Sequence, residues 1–117
     1  IIITTKHEIM LAYSNSAWEH KRRGSTPKFY GSAQACLFSI DSATNDVRVY
    51  KWSGSNRYIQ VCDVQTKMLA FGGGGKEGEF GLCVENDFST GSTGPCDTFN
   101  NMPLCREDRF DVMNVEC

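Results

Sequence analysis

Long apolar runs are missing from this 117-residue chain. No stretch approaches the ~20 apolar residues that a membrane helix needs, so nothing marks direct insertion into a bilayer. Histidine is scarce, with only His7 and His20, and no Cys-x-x-Cys pair occurs. Both facts argue against zinc, which His and Cys ligands hold at short spacings. An excess of one charge is missing too: 12 basic residues face 14 acidic ones, for a formal net charge of −2. No general field therefore attracts nucleic acid or an anionic membrane. The longest basic cluster, "HKRRGSTPK" at residues 20–28, carries Gly, Ser and Pro and reads as a solvated loop. Internal repeats and low-complexity linkers are absent, and no long window places apolar residues at helical spacing.

What the chain does hold is a series of short runs rich in Val, Ile, Tyr, Phe and Trp, separated by turn residues. After the opening Ile triplet come "EIMLAYS", "AQACLFSI", "VRVYKW", "RYIQVC", "KMLAFG", "EFGLCV" and "FDVMNVEC". "DSATND" and "SGSN" punctuate them as turns. Phe80, Leu82 and Val84 are placed on one face by the two-residue period, and Val47 and Val49 oppose Arg48 and Tyr50. Val112 and Met113 break the period and both read as buried, which implies a bulge or a strand covered on both faces. The length suits one domain. Antiparallel strands with short turns predict a mainly β fold of α+β type, a two-sheet sandwich. Short helical turns are expected around "NSAWEHKR".

Six cysteines are the compositional oddity: Cys36, Cys62, Cys83, Cys96, Cys105 and Cys117. An even count invites a disulfide framework. Yet Cys36, Cys62 and Cys83 lie in strand-like apolar runs, where a free thiol packs as a small hydrophobe. Reduced thiols in a cytosolic protein are the expectation, against a secreted disulfide-bonded domain.

The run "LAFGGGGKEGEFGLCV", residues 69–84, asks whether glycines ending in lysine cradle a phosphate. A Walker A loop fails at two positions, because Ala70 stands where the first Gly belongs and Glu77 follows Lys76. A G-x-G-x-x-G reading fits Gly73, Gly75 and Gly78, but that motif must open a helix, and strand periodicity follows instead. The alternative is a wide hairpin connection that lies against another segment with no room for Cβ atoms. Catalysis finds no foothold either. His7 sits in a turn-like "TTKHE", no Gly-x-Ser-x-Gly elbow occurs, and Glu85, Asp87 and Asp97 stand in polar, turn-like settings. No catalytic, cofactor-binding or metal-ligating residue is expected.

The second half reads in order "KW-G", "LAFGGGG", "EFGLCVENDFSTG", "CDTFNNMPL", "EDRFDVMNVE". This order resembles the TLDc domain of the oxidation-resistance proteins, and "AYSNSAW" and "KFYGSAQACLFSI" resemble its first half. The resemblance covers essentially the whole chain as one domain, residues 1–117, lacking the N-terminal helical part of the family. Two departures stand out. Cys117 replaces an aromatic residue after the last acidic one, and "FSTGST" lacks the His and Arg often seen in relatives.

The resemblance implies a sandwich flanked by a few short helices and a non-catalytic protein-interaction domain without cofactors. It also implies a cytoplasmic protein linked to oxidative-stress protection, recruited to organelle membranes or the cytoskeleton through partners. The partner it suggests is the vacuolar proton-pumping ATPase. Alternatives are an architectural domain in a filament or axonemal assembly, or a thiol-based redox or enzymatic domain. Contacts are expected from loops at one end of the sandwich. Two loops offer themselves: residues 73–78, with Gly73, Gly74, Gly75, Lys76 and Glu77, and residues 85–97, with Glu85, Asp87, Ser92 and Thr93 exposed. Asn100 and Asn101 are expected to hold a loop, with Phe99 and Leu104 buried as its anchors.

Overall fold

A computed structural model describes residues 1–18 and 28–116. The basic cluster with His20 lies almost wholly outside these residues, as do Cys117 and the second half of the "NSAWEHKR" segment. Ten strands follow in order: β1 (Ile2–Thr4), β2 (Glu8–Tyr13), β3 (Cys36–Asp41), β4 (Val47–Lys51), β5 (Gln60–Asp63), β6 (Met68–Phe71), β7 (Leu82–Glu85), β8 (Thr90–Ser92), β9 (Arg109–Asp111) and β10 (Asn114–Glu116). They form two antiparallel five-stranded sheets, ordered β10-β1-β2-β3-β4 and β5-β6-β7-β8-β9. The expected two-sheet architecture is present. The expected flanking helices are not found among the described residues. That expectation came from family resemblance, while the apolar spacing of the chain itself has no helical period.

The inner faces meet in one core. Ile3, Met10, Ala12 and Leu37 from the first sheet pack with Phe71, Leu82, Val84 and Phe110 from the second. Ala35, Ile59, Cys96, Phe99 and Leu104 close its margins. A second cluster, Val61, Ala70 and Cys83, lies on the outer face of the second sheet, beneath Phe29, Met68 and Phe80. Phe80 thus parts from Leu82 and Val84, which point into the main core. The strand begins only at Leu82, and the period does not extend back through Gly81.

Two further expectations change. β8 arises inside a segment expected to be all loop, because Gly91 has no side chain and lies directly under Phe110. Val112 and Met113 form neither a bulge nor a doubly covered strand. The chain changes sheets there: the Val112 N–H donates to Ser89 O at 3.0 Å, and the Met113 N–H donates to Thr4 O at 2.8 Å. Met113 is 70% exposed, while Val112 packs against the core.

The alternation in β4 is real, but it faces opposite to the apolar count. Tyr50 turns toward the core and Val47 and Val49 face outward. Replacing Leu37 by Ala therefore lowers stability by about 2–5 kcal/mol, whereas Val47→Ala changes it by no more than about 0.5 kcal/mol, as urea denaturation reads.

Candidate functional site

The glycine run leaves β6 and enters a turn rather than a helix. Gly72 adopts φ 78°, and a Cβ on it would lie 2.6 Å from Cys96 Sγ and 2.9 Å from the Phe99 ring. A Cβ on Gly75 would lie 2.7 Å from the Pro95 carbonyl oxygen. The run is therefore glycine because backbone passes against the "CDTFNN" segment. Three amides of the run already have partners within the chain. Gly73 N–H donates to Thr98 Oγ1 at 2.9 Å, Glu77 N–H to Glu79 Oε2 at 3.0 Å, and Gly78 N–H to Gly75 O at 3.0 Å. A carboxylate, not an open anion nest, fills the turn.

Thr98 ties three loops together. Its buried hydroxyl accepts from Gly73 and donates to Asn56 Oδ1 at 2.6 Å. Asn56 in turn accepts from the Tyr58 N–H at 3.0 Å and from the Trp52 indole N–H at 2.6 Å, the latter through its carbonyl. Ser53 N–H donates to Thr98 O at 2.8 Å, and Asp97 N–H to Gly73 O at 3.1 Å. Asn101 fixes the far side. Its amide donates to the Gly94 and Met102 carbonyls at 3.0 and 2.9 Å and its oxygen accepts from the Cys96 thiol at 3.0 Å. Asn100 supplies the left-handed turn at φ 48°. Phe99 and Leu104 are buried as expected. Asn101 holds the loop mainly by donating to these two carbonyls.

This lock presents an outer rim. Lys76, Glu77, Pro95, Asp97 and Asn100 are exposed around a cleft of about 440 Å³, and buried Cys96 and Asn101 contribute to its lining. Beside it, exposed Arg57 stacks 5.6 Å over the Trp52 ring, and Tyr58 leans on Phe29 with ring centroids 5.1 Å apart. Trp52, Arg57 and Tyr58 did not figure as candidates in the sequence. "SGSN" marked a turn, but nothing local showed that it docks on the glycines.

Of the two loops, only parts come together. Gly73, Gly74, Gly75, Lys76 and Glu77 meet Pro95 and Asp97. Glu85 and Asp87 lie at the opposite end of β7, where they pair with Arg109 at 2.9 Å and Lys67 at 3.8 Å. Ser92 stands in β8 opposite Cys83. Thr93 is not exposed: it is buried, donates to Gly81 O at 2.6 Å and accepts from the Leu104 N–H at 3.0 Å. Its hydroxyl is needed to join β8 to the loop after Phe99.

Cys36, Cys62, Cys83, Cys96 and Cys105 are free thiols. Burial pushes Cys83 up to about 11, helped by the nearby Glu85 carboxylate. Burial likewise raises Cys105 to about 11, and its hydrogen bond to Glu8 adds to the rise. Cys36 and Cys96 are raised by burial too. A thiol held protonated is a poor nucleophile at neutral pH.

The model of the TLDc domain matches residues 1–117. The chain belongs to the TLDc domain family. It is 35% identical over 89 residues to oxidation resistance protein 1 of Yarrowia lipolytica, covering 76% of this chain and 36% of that protein. It is 34% identical over 88 residues to human oxidation resistance protein 1, covering 75% of this chain and 9% of that protein. A mouse relative at 35% identity, again over 75% of this chain and 9% of that protein, is called nuclear receptor coactivator 7. This TLDc chain therefore spans only a minor part of those relatives. None of the three names is that of an enzyme.

Two outcomes follow for the lock and the thiols. Thr98→Val keeps the shape but strands the buried Gly73 N–H, and lowers stability by about 1–3 kcal/mol in denaturant melts. The folded pKa of Cys83 and Cys105 exceeds the ordinary thiol value of 9.0, so their protonated forms favour the fold. That contribution is complete below pH 9 and is lost as pH rises toward 11, so stability falls across that window. In Cys83→Ala/Cys105→Ala the alkaline fall is smaller.

Proposed function

We propose that this TLDc chain is a non-catalytic protein-interaction domain that acts in the cytoplasm in a role linked to oxidative-stress protection. Its proposed partner is the vacuolar proton-pumping ATPase, whose assembly or activity it regulates, and recruitment to organelle membranes follows from that contact. The names of the oxidation resistance relatives support the oxidative-stress reading. The observation that carries the interaction reading is the rim locked by Thr98. A rigid loop surface loses little entropy on binding. It also carries the residue types that dominate interfaces, Trp, Tyr and Arg, beside charges of both signs.

The contact surface is Arg57, Tyr58, Gly74, Gly75, Lys76, Glu77, Asp97 and Asn100. Glu85 and Asp87 stay outside it, since they face the other end of the second sheet and are already ion-paired.

The test is recovery from cell lysate under non-denaturing conditions, with pump subunits measured by mass spectrometry. Arg57→Ala with Tyr58→Ala weakens recovery by at least about tenfold, the scale of an interface hot spot. Glu85→Lys with Asp87→Lys leaves it unchanged. The opposite pattern moves the interface to the far end, and no pump subunits with any form removes the proposed partner.

A further inference from the structure

The indole of Trp52 is fixed by the same bonds that fix the glycine run. Its N–H donates to Asn56 O at 2.6 Å, Asn56 Oδ1 accepts from the Thr98 hydroxyl at 2.6 Å, and the ring packs against the core. Arg57 stands between Asn56 and Tyr58, whose N–H donates to Asn56 Oδ1 at 3.0 Å, so its backbone is held on both sides. The guanidinium lies 5.6 Å over the Trp52 ring, within the range of a cation–π contact. Stacking occupies the face of the guanidinium and leaves its N–H donors in the plane. Among the described residues Arg57 makes no hydrogen bond and no ion pair that would use them. By contrast, Lys67, Arg106 and Arg109 each meet a carboxylate, at 3.8, 3.1 and 2.9 Å. Two more exposed cations adjoin the aromatic rings here: Lys51 precedes Trp52, and Lys28 precedes Phe29, on which Tyr58 leans. Neither is ion-paired among the described residues. The exposed carboxylates Glu77 and Asp97 line the cleft with Lys76, and neither Trp52 nor Arg57 borders that cleft. The rim thus has a cationic side built on a fixed ring, although the whole chain carries a formal charge of −2.

We propose, resting on the interaction reading of the rim, that Arg57 receives a carboxylate of the partner protein, so that the surface meeting this side of the rim is acidic. A guanidinium offers two parallel N–H donors that match the two oxygens of a carboxylate. Trp52 sets the plane of that fork before binding, which lowers the side-chain entropy lost when the contact forms. A guanidinium is also more weakly hydrated than an ammonium, so covering it at an interface costs less. Lys28 and Lys51 add attraction at longer range, which speeds encounter with an acidic surface more than it tightens the final contact. Phosphate polymers fit less well. A duplex binder neutralises about six to ten phosphates, and three cations fall short of that. Asp97, which lies against Gly74 on the side away from Asn56, and Glu77 repel such a chain as well.

Titration of the chain with hexaglutamate, followed by NMR, tests this, because the Arg57 Nε–H and Trp52 indole N–H signals report on the stack itself. Both signals shift, with a Kd of about 1 mM at low salt. Raising the ionic strength to about 0.15 M weakens binding several-fold. Arg57→Gln, at an exposed position, keeps the fold by circular dichroism and weakens binding at least about fivefold. Arg57→Lys keeps the charge and recovers only part of that loss, because an ammonium lacks the planar fork. Hexalysine leaves both signals in place. Signals that stay in place up to about 20 mM hexaglutamate overturn the carboxylate site, as does binding indifferent to Arg57→Gln. Equal or larger shifts with inorganic phosphate or phosphatidylserine vesicles overturn it too, and reassign Arg57 to a phosphate group. Recovery of pump subunits separates this site from the function proposed for the rim. Pump subunits recovered by a chain that ignores hexaglutamate keep the rim and remove the carboxylate. Hexaglutamate bound at Arg57 with no pump subunits recovered keeps the carboxylate and removes the pump.

Discussion

Phe99 reaches the core only because the backbone at Gly72 carries no side chain. Its ring would lie 2.9 Å from a Cβ there, and the Cys96 sulfur nearer still. That approach brings Thr98 against Gly73, and Thr98 in turn holds the segment after β4. The crossover from the first sheet to the second therefore depends on a contact made 40 residues later in the chain. Ser53, Asn56 and Tyr58 each gain a fixed position from it. One absent methyl group decides how the margin of the sandwich closes.

This dependence separates what was legible in the sequence from what was not. Strand periodicity is local, so nearly every strand could be read from its own residues. The glycine run was legible as a close-packing device because φ and steric limits are local too. Thr93 and β8 were not. A threonine between Ser92 and Gly94 reads as an exposed turn residue, and only the carbonyl of Gly81 and the amide of Leu104 make it a buried tie. Met113 failed for a related reason. An apolar residue next to another looks buried until the chain is seen to leave one sheet for the other. Two loops near in composition were also taken as near in space. A single strand, β7, carries the chain from one end of the sheet to the other between them.

Chemistry in this domain is placed to be quiet. The Gly73 and Glu77 amides are occupied by Thr98 and Glu79, and four of the thiols are held above the ordinary range by burial. Glu8, a buried carboxylate, is engaged by Thr5, Cys105 and Arg106. Polar side chains at the loop end are spent on fixing geometry, so that the shape of this surface is set by bonds within the chain.

The glycine run acts as a lock, formed in the free protein, that makes the loop end rigid. Native-state hydrogen exchange of the Gly73 and Asp97 amides tests it most directly, because these bonds join the run to the "CDTFNN" segment and belong to no strand ladder. A lock formed in the free protein gives protection comparable to that of Phe71 and Leu82 in the adjoining strands. Exchange at the rate of the exposed turn at residues 86–89 contradicts it.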